Sequence, residues 1–571
     1  MASLLALSII SVWPWLESVW LKLGDAWSIT SWRMNSNVAI PRVVIIYGLC
    51  VPIAMLMGYL LTTPLDLISV LGVTTVMGLL LVPVLLRWHH FLLILVWNAT
   101  IHAFFLPGHP RFWMVLTLAS VAFSILDRVM NKQKRLQTVP WLTAPLIVLF
   151  LVIFITARLR DGFGLTSLGG GTFGGRKYAD AFLAILGYFA LSWQKIPPHR
   201  ALLYSMIFFL SGITHVVSNI AYSFQLYWLF WLFPIDNAVM QIQADYSTQD
   251  NAFSRLSGVA FGCMAPFCYL LIRHGVKGLF DFSEGFSFFP IRRKSTLYVN
   301  QPWRLIGFCL TIFISTFGGF RSMPILFVLM FCVQFFVEKL HRTRLFFILL
   351  GASIALATCL VPFTEKLPLV VQRAIAYLPV RLSAKVKFDA WASTDWRLRM
   401  WQVVVEEMPK YLVLGKGFGG NATDLYLVKE STRRGFISDF EGLYIAGDYH
   451  SGPLSVLVPL GIPGALAFTW LLVAGMYALY RNHRYGPPEL QKINTFLFTF
   501  FVTQTFFYIF VYGAFTNGLA IFTGTLGLSI SLNGGVARKS REPLSAPALE
   551  PVKPAPGALP PTGALQTGAP A

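Results

Sequence analysis

Three short stretches hold side chains suited to a phosphate-bearing substrate. Arg321 interrupts the run from Leu305 to Val337, which carries no other charge, and it follows the pair Gly318-Gly319. An arginine beside hydrocarbon costs about 2.5–3.5 kcal/mol at the bilayer centre and less near the interface, so one placed here serves as an anion site or as a snorkelling anchor. The second stretch is Ser393-Thr394-Asp395-Trp396-Arg397-Leu398-Arg399-Met400-Trp401, followed by Gly415-Lys416-Gly417-Phe418-Gly419-Gly420. A glycine turn lets backbone N–H groups approach a phosphate, although no Lys-Ser/Thr pair follows as a Walker loop requires. The third is Asp448-Tyr449-His450-Ser451-Gly452-Pro453, directly before a long apolar run. Histidine takes or gives a proton near neutral pH, and at a membrane surface it would meet a lipid-linked substrate.

These residues need elements to carry them. Ser393, Thr394 and Asp395 predict a helix start. Trp401, Val404, Val405 and Met408 then recur at helical spacing, and Pro409 predicts the end. Arg397 and Trp401, four residues apart, share a face. Elsewhere, apolar runs of spanning length fall at 43–62, 67–86, 89–107, 111–127, 140–157, 179–194, 201–222, 257–273, 304–320, 322–338 and 345–362. Three more follow at 453–480, 493–512 and 515–532. The aromatic segment 225–235 is too short to span and predicts an interfacial piece.

Composition fixes the class. Of 571 residues, 56% are hydrophobic and only 12% charged, which excludes a water-soluble globule and a disordered chain. The expected fold is an all-α polytopic membrane protein of about fourteen transmembrane helices with one large periplasmic loop. The net charge of +20 does not predict a nucleic-acid partner, because the basic residues lie between apolar runs and not in one patch. Arg87, Lys195, Arg200, Arg273, Arg342, Arg344, Arg481 and Arg484 fall in alternate loops, which predicts cytoplasmic termini. The expected divisions are a cytoplasmic segment 1–42, a bundle of about eleven helices over 43–362, the periplasmic loop 363–452, about three helices over 453–532, and a Pro/Ala/Gly-rich disordered cytoplasmic tail 533–571. The six cysteines all lie in apolar runs and predict packing, not a disulfide framework.

At this point the sequence resembles a known family. His450-Ser451-Gly452-Pro453-Leu454, continuing to Gly461-Ile462-Pro463-Gly464, resembles the His-Asn-x-x-Leu…Gly-Ile-Pro-Gly segment of the O-antigen ligase/polymerase family. Arg397 to Trp401, followed by Gly415-Lys416-Gly417, is similar to its Arg-x-x-x-Trp…Gly-x-Gly stretch, and Phe320-Arg321 to a Ser-Arg pair that opens a transmembrane helix. The resemblance covers about 305–480. Two positions depart: Ser451 stands for the usual Asn, and Pro459 for a common Glu.

The resemblance implies a fold like the multi-spanning membrane glycosyltransferases, in the bacterial inner membrane among membrane lipids. It implies transfer of a glycan from an undecaprenyl-pyrophosphate carrier to lipid A–core or another hydroxyl acceptor, without metal or other cofactor. Within that family, ligation and repeat-unit polymerisation both remain open. Carried over, the catalytic residues are Arg321, Arg397 and His450, with Arg399, Lys416, Gly417 and Ser451 as supporting contacts to pyrophosphate or to those three. Two guanidinium groups would neutralise a departing pyrophosphate, and His450 would take or orient the acceptor hydroxyl proton. Two other classes compete: a transporter of a glycolipid or anion, and a non-catalytic scaffold for polysaccharide export. His215 and the glycine-rich stretch 161–178 are absorbed by neither the motifs nor the resemblance.

Overall fold

A computed structural model describes residues 51–56, 58–59, 67–106, 108–131, 136–160, 172–234, 255–281, 302–421, 423, 426–427, 430–431 and 447–538. The expected segment 1–42, part of the span at 43–62, residues 161–171 of the glycine-rich stretch, 432–446 of the large loop and the tail beyond 538 lie outside the described residues. The chain divides into two units, 1–83 and 84–571. The described residues of the first are helical at 51–56 and 58–59 and open the helix α1, Leu67–Val96.

The second unit is built from apolar helices. They are α2 (Phe112–Met130), α3 (Pro140–Leu159), α4 (Gly175–Ser192), α5 (Ala201–Leu210), α6 (His215–Ser223), α7 (Ser257–Gly262), α8 (Met264–Leu279), α9 (Pro302–Ser315), α10 (Ser322–Val337) and α11 (Arg344–Leu360). Two helices of the large loop follow, α12 (Leu369–Ala374) and α13 (Ala384–Glu407). The last three are α14 (Gly452–Tyr485), α15 (Gln491–Phe510) and α16 (Phe515–Asn533). At the centre α4 packs along α16, and α14 packs on α3 and α15. Glycines make the packing close: Gly527 of α16 lies against Leu191 and the Tyr188 carbonyl of α4, while Gly187 of α4 and Gly524 of α16 both lie against the Trp97 ring. In a bilayer such residues replace the missing hydrophobic drive with close backbone contact.

Among the described residues, seven helical segments are long and apolar enough to cross a membrane, and Leu85–Val96, Trp303–Gly318, Ser322–Val337 and Arg344–Cys359 are shorter apolar helices. An all-α membrane protein is therefore what the described residues form. The spans expected at 67–86 and 89–107 come out differently: the single helix α1 covers the first and runs on to Val96, after which the chain is irregular. Within the described residues, extended structure is one antiparallel pair of two-residue strands, β1 (Thr172–Phe173) with β2 (Gly420–Asn421).

The helix of the large loop starts earlier than Ser393. Nothing between Ala384 and Glu407 breaks a helix, and Ser383 caps it by accepting a hydrogen bond from the Val386 N–H at 3.4 Å. Ser393 and Thr394 therefore lie mid-helix, where Thr394 Oγ1 bonds back to the Ala390 carbonyl at 3.0 Å. The helix ends at Glu407, just before Pro409, as its sequence predicts.

Candidate active site

Arg321 stands immediately before α10 and reaches onto α13. Its guanidinium donates to the Ala390 carbonyl (3.2 Å), Ser393 Oγ (3.2 Å) and Thr394 Oγ1 (3.4 Å). The Ser-Thr pair that suggested a helix cap is instead the seat of this arginine. Beside it, Arg373 of α12 donates through Nε to Asp389 and through Nη1 to the Gly319 carbonyl at 2.9 Å. Arg255 approaches the other Asp389 oxygen at 3.7 Å. One carboxylate thus faces two arginines, with Arg321 a turn away. Burial, then the charges of Arg397 and Arg373, pull the Arg321 pKa below its ordinary value, although a guanidinium stays charged.

Arg397 lies one turn beyond Ser393 on α13, so it continues the face that holds Arg321. Its Nε is buried and has no hydrogen-bond partner among the described residues. The same helix grips the histidine segment. Trp401 Nε1 donates to the Tyr449 carbonyl at 2.8 Å, and the Trp396 ring stands edge-on to His450 at 5.3 Å. The Tyr512 ring, on the connection between α15 and α16, also lies against His450, at 5.4 Å. His450 has φ 49°, a left-handed conformation that a non-glycine residue holds only where its surroundings impose it. Its Nδ1 is buried without a hydrogen-bond partner among the described residues. Burial lowers the His450 pKa below 6.5; Asp448 opposes this and Arg397 adds to it. Burial and Arg397 together favour the neutral imidazole, a form that can accept a proton.

The glycine turn has a different role from the expected phosphate cradle. Helix α14 is broken at Gly461, which sits at φ 67° and ψ −169° between Pro459 and Pro463. Pro463 has no N–H for the Pro459 carbonyl. The turn supplies the missing donors. Lys416 N–H donates to the Val458 carbonyl at 2.8 Å and Gly417 N–H to the Pro459 carbonyl at 2.9 Å, while Ile462 N–H donates back to Leu412 at 2.7 Å. Glycine is required there: a Cβ on Gly415 (φ 72°) would lie 2.1 Å from the Pro459 oxygen. The Gly417 N–H is thus committed to α14. The Lys416 ammonium lies 5.8 Å from the centre of the Tyr411 ring. Its pKa is lowered by burial, against an opposing pull from Glu407.

Of the residues singled out from sequence, α13 links three: Arg397 lies on it, Arg321 is hydrogen-bonded to it and His450 packs on its Trp396. Ser451 adjoins them as the residue that precedes α14, its side chain making no cap bond. Arg399 does not join them: 65% exposed, it pairs with Asp395 at 2.6 Å. Sequence reasoning missed Arg255, Arg373, Asp389 and Tyr512. Only Arg373 carries a local signal, a cation inside the apolar run Leu369–Ala374. Among the described residues, no three His, Cys, Asp or Glu side chains gather as a metal site. No curated protein matches this chain. Residues 306–469, which hold Arg321, Arg397 and His450, match the family model of O-antigen ligase, so over that segment the chain is similar to the O-antigen ligase family.

Proposed function

We propose that this protein is a glycosyltransferase of the bacterial inner membrane that moves a glycan from an undecaprenyl-pyrophosphate carrier to a hydroxyl acceptor, lipid A–core or another, without metal. The observation that carries the reading is that Arg397 stands within electrostatic reach of both Arg321, which is seated on the same helix, and His450. Arg321 and Arg397 receive the donor's phosphate oxygens. His450 accepts the proton of the acceptor hydroxyl as its oxygen attacks the anomeric carbon. The bond from that carbon to the pyrophosphate oxygen breaks, and its electron pair leaves with the pyrophosphate, whose charge the guanidinium groups stabilise. About fourteen spans, cytoplasmic termini and a periplasmic loop at 363–452 would put this site where a lipid-linked donor is met.

Gene deletion, complemented by wild type, Arg321→Ala or His450→Ala, tests the reading on surface-polysaccharide gels with expression checked by blot. A ligase predicts that both variants lose long glycan and accumulate the lipid-linked polymer. A polymerase predicts single repeat units on the acceptor without a ladder. Wild-type patterns from well-expressed variants sink catalysis through these residues and favour a transporter or scaffold.

A further inference from the structure

Lys177 comes from the glycine-rich stretch that the motifs leave unexplained, and it lies outside the segment shared with the family. The structure fastens that stretch to the active-site loop. Thr172 and Phe173 pair with Asn421 and Gly420. The Phe418 N–H donates to the Tyr178 hydroxyl at 2.9 Å. Gly174 lies so close to the Phe418 carbonyl that a Cβ would sit 1.9 Å from its oxygen. Lys177, in the first turn of α4, is thereby carried to the residues preceding His450. Its Nζ lies 3.6 Å from where a Cβ on Gly447 would stand, next to Asp448. Asp448 Oδ1 is buried and has no hydrogen-bond partner among the described residues.

We propose that Lys177 is a positioning residue of this site, whose ammonium offsets the Asp448 carboxylate and so preserves His450 as a proton acceptor. The proposal rests on the glycosyltransferase reading above. The groups facing His450 are Asp448 from its own segment, Arg397 from α13 and the Tyr512 phenol from the α15–α16 connection. Among the described residues, Asp448 is the carboxylate that acts on His450, and it favours the protonated ring. Lys177 faces Asp448 and, on its own helix, Asp180. A cation placed behind Asp448 weakens that carboxylate's field at the imidazole. Loss of this cation, by its direct field at the imidazole, lets the ring hold its proton to higher pH.

The test is glycan transfer from a lipid-pyrophosphate donor by the purified full chain in proteoliposomes, read from about pH 5 to 8. Lys177→Met is expected to move the acid limb of the rate profile upward by on the order of half a pH unit. Lys177→Arg restores the limb, and Asp448→Asn moves it downward. Adding Lys177→Met to Asp448→Asn then shifts it less than in the wild-type background. A raised donor KM with an unmoved limb would make Lys177 a direct donor contact and overturn the proposal. Loss of rate at every pH that Lys177→Arg does not restore would mean a merely structural lysine and overturn it too. Absence of transfer by the wild type overturns the parent reading, and the proposal with it.

Discussion

Arg397 and Arg399 stand two residues apart on one helix, yet their surroundings give them different work. Arg397 lies within electrostatic reach of Tyr512 and His450 and has a buried Nε without a hydrogen-bond partner among the described residues. Arg399 is exposed and spends its charge on Asp395. An exposed pair one helical turn apart contributes only ~0.3–0.5 kcal/mol. Arg399→Ala should therefore leave transfer within about two-fold of wild type in a membrane assay. Arg397→Lys keeps the charge but loses the planar fork, and should cost at least about ten-fold in rate at unchanged expression. His450 predicts a pH dependence. Because burial and Arg397 set its pKa below 6.5, the neutral base persists from about pH 8 down to 6.5. The rate should fall only as pH drops further through the lowered pKa and the ring protonates. A wild-type profile that already declines between pH 8 and 7 on the acid side would contradict this assignment.

At the scale of elements, the break in α14 decides where His450 stands. The segment from Gly452 to Leu460 is held from below by the turn at Gly415–Gly417 and from above by Tyr508, whose hydroxyl donates to the Gly452 carbonyl at 3.0 Å. Gly415→Ala places a methyl group against the Pro459 oxygen in a left-handed conformation, and should destabilise the protein by about 1–3 kcal/mol. Gly307→Ala, in α9 with open space around it, should not. Thermal unfolding of the two variants in detergent separates them; equal midpoints would argue against the stitch. This element also marks the limit of sequence reading. The glycine turn and the Gly-Ile-Pro-Gly run were each visible, and both are backbone devices. That they complete one another was not visible, because the donors for orphaned carbonyls come from residues more than forty positions away. The start of α13 was misplaced for a related reason. Ser393 and Thr394 have the chemistry of a cap, and only tertiary contact reveals that their hydroxyls face Arg321.

Over the whole molecule, hydropathy was enough to read a helical membrane protein, and the three candidate catalytic residues were legible from their motifs. What sequence could not supply is the tie between distant segments, and Asp389 is that tie. It binds Arg373, which in turn holds the Gly319 carbonyl beside Arg321, and it faces Arg255, two residues before α7. Arg255, with its pKa pulled down to about 10 by burial and by Arg373, needs this carboxylate. Asp389→Asn keeps the shape of the side chain and removes the charge that both arginines share. Breaking a fully buried pair costs about 3–5 kcal/mol; Asp389 retains 28% exposure, so about 1–3 kcal/mol is expected. The unpaired cations should loosen the Gly319 turn and the α12–α13 connection together. Limited proteolysis of the full chain in detergent should then cut sooner within 375–383, between those helices, with a lowered unfolding midpoint. If Asp389→Asn matched wild type in both, Arg321 would owe its position to α13 alone.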